Sequence, residues 1–336
     1  MKAMVINAFG KPEAFQPAEI EKPVPGPDQV LIRVKASSVN PIDMKIRSGA
    51  VPAVAAPFPA VLNVDVAGEI VALGSEVRDL SISDRVAALG GGVKGHDGAL
   101  AEFMRVDREL IARIPDNVTD GTAAAMPVVG LTAWEALVNR GKIRPGQHVL
   151  IHGGAGGVGH IAVQLASALG AEVTTTVSSE TKAVLVRKLG AHHVVNYQQQ
   201  TVKEYVDAFT GGKGYDLVLD TVGGENLDKS FEAAGLKGVV ISTNTRSTHD
   251  LSPMHGKGLT LHVVFLLVPL LFGKEKKTAG ENLENLLNMV AQNKLQPMIH
   301  PQTFGFTRIR EAHELLQRGD HLGKISLFND LDSLEG

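Results

Sequence analysis

The chain has 336 residues, 44% hydrophobic and 21% charged, which suits a soluble globular protein of two domains. Its formal net charge is −3, from 33 basic against 36 acidic side chains, which argues against nucleic acid or an anionic membrane as main partner. The absence of cysteine excludes disulfides, thiolate zinc sites and cysteine nucleophiles, and it fits a reducing, cytoplasmic compartment.

The opening MKAMVINAFGKPEAF has no long apolar stretch, so no signal peptide is expected. Residues 1 to about 120 predict short strands: KAMVINAF, QVLIRVKASSV, VAGEIVALG, DRVAAL and ALAEFMRV are rich in Val, Ile and Ala and bounded by Pro, Gly and Asp. A β-barrel-like or rolled antiparallel domain is expected there. DGTAAAMPVVGLTAWEALVNRG then predicts a helix, and strict βα alternation comes after it. HVLIHG, EVTTTV, HHVVNY, YDLVLDTV, GVVIST and LTLHVVFL are the predicted strands. GHIAVQLASALG, ETKAVLVRKLG, VKEYVDAF and ENLDKSFEAAG are the predicted helices between them, two of them ending at Gly170 and Gly190. Near-continuous apolar strands and glycine-stopped helices indicate an α/β fold, a doubly wound parallel sheet covered on both faces. The run LTLHVVFLLVPLLF, residues 259–272, is too short for a membrane span and contains His262 and Pro269. A buried strand followed by a core or dimer segment is expected instead. Two further helices, AGENLENLLNMVAQNKL and IREAHELLQRG, and a strand, GKISLF, close the chain and are expected to return to the first domain.

Five glycines fall between residues 153 and 159. Gly154, Gly156 and Gly159 fit G-x-G-x-x-G, with Ala155, Gly157 and Val158 between them. The motif comes directly after a predicted strand and opens a predicted helix, the context in which it binds a dinucleotide. One glycine serves the tight turn, one lets backbone approach a pyrophosphate, and one lets helix and strand pack. The helix N-terminus then offers free N–H groups to the phosphates. No Lys-Ser or Lys-Thr comes next, so this is not a Walker-type loop. An NAD site carries Asp or Glu at the end of the second strand, about 20 residues on. Here that place reads SSETK. Ser178 and Ser179 can donate to a 2′-phosphate and Lys182 can pair with it, so NADP(H) is favoured. Glu180 dissents and is expected to point to solvent. SSETK also reads as a helix N-cap with an acidic first turn.

Together GLTAWEAL, HGGAGGVG, LGAHHVVNY and the terminal GKISL resemble the medium-chain dehydrogenase/reductase superfamily, within it the zinc-independent quinone oxidoreductase or zeta-crystallin-like branch. The resemblance runs over nearly the whole chain. It implies a GroES-like, mostly-β catalytic domain over residues 1–125 and 266–336, and a Rossmann NADP(H)-binding domain over 126–265. It also implies a homodimer joined through the Rossmann sheet edge. Zinc-dependent members carry a Gly-His-Glu segment; in LNVDVAGEIVALG, Val64 stands in place of the His and Asp65 in place of the Glu. No metal is therefore expected, and hydride acceptors that need no Lewis acid remain: quinones and activated enones or enals.

By the same resemblance Asn40, in SSVNPIDMKIRSG, stands beside nicotinamide and substrate; its other reading is a turn Asn before Pro41. Asp43 lines the cleft or caps a helix. Val51 stands where many members have an aromatic residue after SG. Thr132 places a hydroxyl near the nicotinamide or caps its helix. Tyr197 lies at the adenosine phosphate or in the core. Thr221, Val222 and Gly223 end one strand, Ser242 and Thr243 the next, both facing the ligand crevice. Phe265 presents backbone to the carboxamide, and Lys324 reaches cofactor or substrate, or is a surface charge. No residue stands out as a general acid, and a quinone or enolate takes its proton from water. The function expected is NADPH-dependent hydride transfer to a quinone or enone by positioning. Competing readings are a cofactor-binding crystallin-like protein with a structural or RNA-binding role, and a zinc-free alcohol dehydrogenase.

Overall fold

A computed structural model describes residues 1–334, and counts of elements and contacts refer to those residues. In chain order the strands and helices begin with β1 (Lys2–Ile6), β2 (Phe15–Glu19), β3 (Gln29–Val39), α1 (Pro41–Arg47), β4 (Ala60–Val61), β5 (Asp65–Leu73), β6 (Arg85–Leu89), β7 (Phe103–Asp107), β8 (Ile111–Arg113), α2 (Asp120–Ala124) and α3 (Pro127–Trp134). The alternating region comes next: β9 (His148–Ile151), α4 (Gly157–Ala168), β10 (Glu172–Val177), α5 (Glu180–Lys188), β11 (His193–Asn196), α6 (Val202–Thr210), β12 (Tyr215–Asp220), α7 (Glu225–Ala233), β13 (Ala234–Ser242), α8 (Ser252–Lys257) and β14 (Thr260–Val263). The tail has α9 (Val268–Phe272), α10 (Lys276–Ala291), β15 (Phe304–Gly305), α11 (Ile309–Arg318) and β16 (Ile325–Phe328).

The chain divides into two compact units. Among the described residues the first holds 1–131, 267–293 and 297–334; the second holds 132–266 with 294–296. The division runs through α3. The single long helix expected around residues 120–141 is broken, because Pro127 has no N–H and pushes Met126 out of helical backbone. The pieces are α2, α3 and a π-helical turn, Glu135–Arg140.

In the first unit a seven-stranded sheet runs β15-β16-β3-β5-β6-β8, with β7 also paired to β3. A three-stranded sheet runs β2-β1-β4. The pairings are antiparallel apart from β15 with β16. The tail completes the larger sheet, since β16 lies against β3 with Ile325 opposite Val39. That register sets Lys324, one residue before β16, beside Asn40, one residue after β3.

The second unit is a six-stranded sheet, β11-β10-β9-β12-β13-β14, parallel throughout. Counted from β9, this is the doubly wound order 3-2-1-4-5-6, whose ligand crevice opens where β9 and β12 diverge. Leu150, Val218, Val240, Tyr215 and Phe231 fill a core on one face. Gly170 and Gly190 stop α4 and α5 in left-handed backbone, φ +81° and +101°. β14 differs from the expected buried strand: it ends the sheet, and Val263 is half exposed, because no strand covers its outer edge. The sequence pattern also passed over α8, a single short helix opened by Pro253.

Candidate functional site

The glycine loop leaves β9 at the switch point and enters α4. Gly153 takes φ +72°, which favours glycine. A Cβ on Gly154 would lie 2.1 Å from the Thr175 hydroxyl of β10, and one on Gly159 would lie 2.1 Å from the Gly153 carbonyl. Those two glycines serve close packing. Gly156, the residue before α4, is different: a Cβ there would meet only the Gly153 carbonyl, at 3.2 Å. Its outer side is an open cradle at the N-terminus of a 12-residue helix, the geometry that accepts phosphate.

The loop after β12 is tied to the glycine loop. Thr221 donates its hydroxyl to the His152 carbonyl at 2.7 Å, and the His152 N–H reaches the Leu219 carbonyl at 2.9 Å. Asp220, fully buried at the end of β12, organises this corner. Its carboxylate accepts from the Val222 and Gly223 N–H groups at 3.0 Å, from Asn226 at 2.8 Å and from the Ser242 hydroxyl at 3.0 Å. Thr243 N–H bonds the Asp220 carbonyl at 3.1 Å. Sequence reasoning named the neighbours Thr221, Val222, Gly223, Ser242 and Thr243 but not this anchor. Its signal was a polar residue closing an apolar strand just before two glycines. His152, beneath the loop, has its Nε2 unpartnered, and burial holds its imidazole neutral down to about 4, with Asp220 opposing.

At the end of β10, Lys182 donates to the Ser178 hydroxyl at 3.1 Å, while the Ser179 hydroxyl caps α5 by accepting the Lys182 N–H at 3.4 Å. The cap reading of SSETK is thus what the structure shows, with Lys182 and Ser178 brought together beside it. The Glu180 carboxylate turns away to Arg187 at 3.0 Å and is 78% exposed. Tyr197 is 53% exposed and so is not core, and Phe265 is 41% exposed. Thr132, in α3, is buried.

Asn40, Asp43 and Lys324 come together in the first unit, all buried, with Asp65 among them. Asn63 adopts φ +74°, tolerable for asparagine, and turns the chain so that Asp65 begins β5 facing inward. Asp65 Oδ2 accepts from the Ser38 hydroxyl, from Asn40 Nδ2 at 2.7 Å and from Lys324 Nζ at 3.3 Å. Its Oδ1 accepts the Val128 N–H at 2.8 Å. Lys324 also donates to the Val39 carbonyl at 3.0 Å and to Asn40 Oδ1. Asp43 accepts from the Asn40 and Val64 N–H groups at 2.8 and 3.2 Å. Burial, then the nearby Asp65 charge, pushes Asp43 up to about 7, although those N–H bonds and Lys324 pull it down. Burial lowers the Lys324 ammonium from its ordinary value while Asp65 and Asp43 raise it. Asn40 therefore spends its amide inside the protein, and Lys324 is an internal cation.

Comparison with known proteins matches residues 26–116 to the alcohol dehydrogenase GroES-like domain and residues 157–280 to the zinc-binding dehydrogenase family. The quinone oxidoreductase of Pseudomonas aeruginosa is 35% identical over 73% of this chain and 74% of that protein. The chloroplastic NADPH-dependent alkenal/one oxidoreductase of Arabidopsis thaliana is 31% identical over 98% of this chain and 79% of that one. The match to a phenolphthiocerol/phthiocerol polyketide synthase of Mycobacterium tuberculosis, at 30% identity, covers 95% of this chain but only 14% of the synthase polypeptide. Among solved structures, an alcohol dehydrogenase superfamily protein from Novosphingobium aromaticivorans has a TM-score of 0.93 at 39% identity, covering 98% of this chain and 100% of that one. Escherichia coli quinone oxidoreductase complexed with NADPH has a TM-score of 0.88 at 26% identity, with the same coverage.

Proposed function

The chain belongs to the medium-chain dehydrogenase/reductase superfamily, in its quinone oxidoreductase branch, and from that premise we propose that it is an NADPH-dependent, zinc-independent reductase that delivers hydride to quinones or to activated enones and enals. One observation carries the reading. The open cradle at Gly156 faces a helix N-terminus at the sheet's switch point, and the turn after β10 brings Ser178 together with Lys182 of α5 where an NAD site would carry a carboxylate. The first feature suits a pyrophosphate and the second a 2′-phosphate. The relatives named for NADPH and for quinones or alkenals support the same cofactor and acceptor class.

The donor set does not fit a catalytic zinc. The chain has no cysteine, and Val64 fills the position of the family's ligand histidine. Asp65 already spends both oxygens on Ser38, Asn40, Lys324 and Val128, and an ammonium stands beside it.

NADPH supplies the hydride. The chain's own residues bind, orient and exclude water. The N-terminus of α4 holds the diphosphate, Ser178 and Lys182 the 2′-phosphate, and the Thr221–Gly223 and Ser242–Thr243 loops, fixed by Asp220, border the crevice. Tyr197 and Phe265 are exposed enough to contact adenosine and nicotinamide. Asn40, Asp43 and Thr132 are assigned to the reacting end, where orientation rather than acid–base chemistry does the catalysis. The test is NADPH oxidation against parallel panels of quinones and of enones and enals. Turnover on either supports the reading; silence on both overturns it.

We further infer a homodimer through the open edge of β14, supported by half-exposed Val263. Light scattering on the purified protein tests it. No helix among the described residues is long and apolar enough to cross a membrane. A cytoplasmic setting is inferred from the lack of cysteine.

A further inference from the structure

Asp65 gathers bonds from four residues in three separate parts of the first unit. Ser38 and Asn40 come from the end of β3, Lys324 from the approach to β16, and Val128 from the first turn of α3. The two carboxylate oxygens divide this work. Oδ2 takes the three side chains, and Oδ1 takes the helix N–H. A carboxylate at a helix N-terminus is stabilised by the helix dipole, and α3 is the helix whose next turn carries Thr132.

The orientation of the Asn40 amide is dictated by the charges around it. Oδ1 faces the Lys324 ammonium and Nδ2 faces the Asp65 carboxylate. Turning the amide over would set its NH2 against an ammonium and its carbonyl against a carboxylate, so one orientation is enforced. Lys324 in turn is bound to three oxygens, those of Val39, Asn40 and Asp65. An ammonium has three donors, so this accounts for its full capacity. Nothing is left over to reach outward.

We propose that Asp65 and Lys324 are positioning residues for hydride transfer: as a pair they lock the Asn40 amide in one orientation, and through Val128 the same carboxylate fixes the start of the helix bearing Thr132. The proposal rests on the reading that Asn40 and Thr132 serve the reacting end of the site. It gives Lys324 a role through Asn40 instead of a contact of its own with cofactor or substrate.

The test uses Asp65→Asn, Lys324→Met and the double variant Asp65→Asn/Lys324→Met, each as full-length enzyme with NADPH. Each single variant strands a buried charge, whereas the double variant removes both and so is the decisive one. Expected for the double variant is a kcat about 10- to 100-fold lower per NADPH-bound site, the scale of loss when a reacting group shifts by about 1 Å. KM for the acceptor and Kd for NADPH should stay within about threefold of wild type. Amide hydrogen exchange should accelerate in residues 128–131 and stay unchanged in 157–168.

A role in stability alone would lower the melting temperature and leave kcat per bound site unchanged; that result overturns the proposal. Unchanged exchange in residues 128–131 overturns its helix arm. Failure of all three variants to fold, with NADPH binding lost, would make the cluster a folding element and overturn it too. Wild type without turnover on any acceptor sinks the preceding functional reading instead, while the exchange arm still tests the geometry.

Discussion

Lys324 Nζ lies 3.3 Å from Asp65 Oδ2, with both side chains almost wholly excluded from water. A second carboxylate, Asp43, sits close enough to feel both. Two acids and one ammonium in a dry interior leave an excess negative charge if all ionise. Asp43 is the member that gives way.

Asp43 is thus expected to titrate near 7, which carboxyl carbon NMR on labelled protein can read directly. Lys324 favours the ionised form, so Lys324→Met should raise the Asp43 value further. Asp65→Asn removes a neighbouring negative charge and should lower it. An Asp43 already ionised at about pH 5 in wild type would contradict the burial argument.

His313 yields a stability prediction. It is buried edge-on against Phe15, at 4.9 Å between ring centroids, and neither ring nitrogen has a hydrogen-bond partner. Burial first, then the Arg47 charge, depresses its pKa from 6.5 to about 3. The unfolded chain therefore binds the proton first. The stability from neutral His313 is present above pH 6.5 and drains away as pH falls toward 3, by up to about 1.4 kcal/mol per pH unit. His152 acts in the same direction between 6.5 and about 4. Asp43 acts oppositely: its contribution is present below the ordinary carboxylate pKa of 3.8 and is lost as pH rises through about 7. His313→Leu should change stability by no more than ~1 kcal/mol at about pH 8, where a lost ring contact offsets relief of unmet polar atoms. It should visibly flatten the acid side of a plot of melting temperature against pH. An unchanged acid slope would contradict the assignment.

The glycine loop makes two substitutions diverge. Gly159→Ala drives a methyl to 2.1 Å from the Gly153 carbonyl, so the loop must shift, and a loss of roughly 2 kcal/mol or more in denaturant unfolding is expected. Gly156→Ala meets one carbonyl at 3.2 Å and should fold. Its methyl intrudes on the phosphate cradle instead, and Kd for NADPH should rise about tenfold or more, roughly 1.4 kcal/mol. Equal effects of the two changes on folding would contradict this division of labour.

How far these features were legible in the sequence depends on how local they are. The glycine loop, the βα alternation and the SSETK cap lie within single stretches, and their reasons are steric and electrostatic over a few residues. Glu180, an awkward acid beside a phosphate site, pairs with Arg187 two helical turns on, a solution its spacing allows. The buried cluster is another matter. Lys324 and Val39 are 285 residues apart in sequence, and only the register of β16 on β3 brings them together. A lysine after glycine near the chain's end reads equally as surface charge or ligand contact. Asp65 looked like a remnant of a metal motif, and nothing local shows that it accepts from Ser38, Asn40, Lys324 and Val128 at once. The edge position of β14 was hidden for the same reason: strand order is a tertiary fact.

Cofactor choice tests the Ser178–Lys182 pair. Lys182→Ala should raise KM for NADPH about 10- to 100-fold, the loss of a charge-assisted bond worth about 1.5–3 kcal/mol, with little change for NADH. Ser178→Asp should go further and invert the preference by repelling the 2′-phosphate. Steady-state kinetics with both cofactors distinguishes these outcomes from a general loss of binding.

NADPH-dependent reduction of quinones or activated alkenes is the activity on which the rest depends, and one measurement bears on it most directly. The purified protein, assayed with either NADPH or NADH against quinone and enone panels, should oxidise NADPH with at least one acceptor and favour it over NADH by kcat/KM. No turnover with any acceptor, or a clear preference for NADH, would contradict the account.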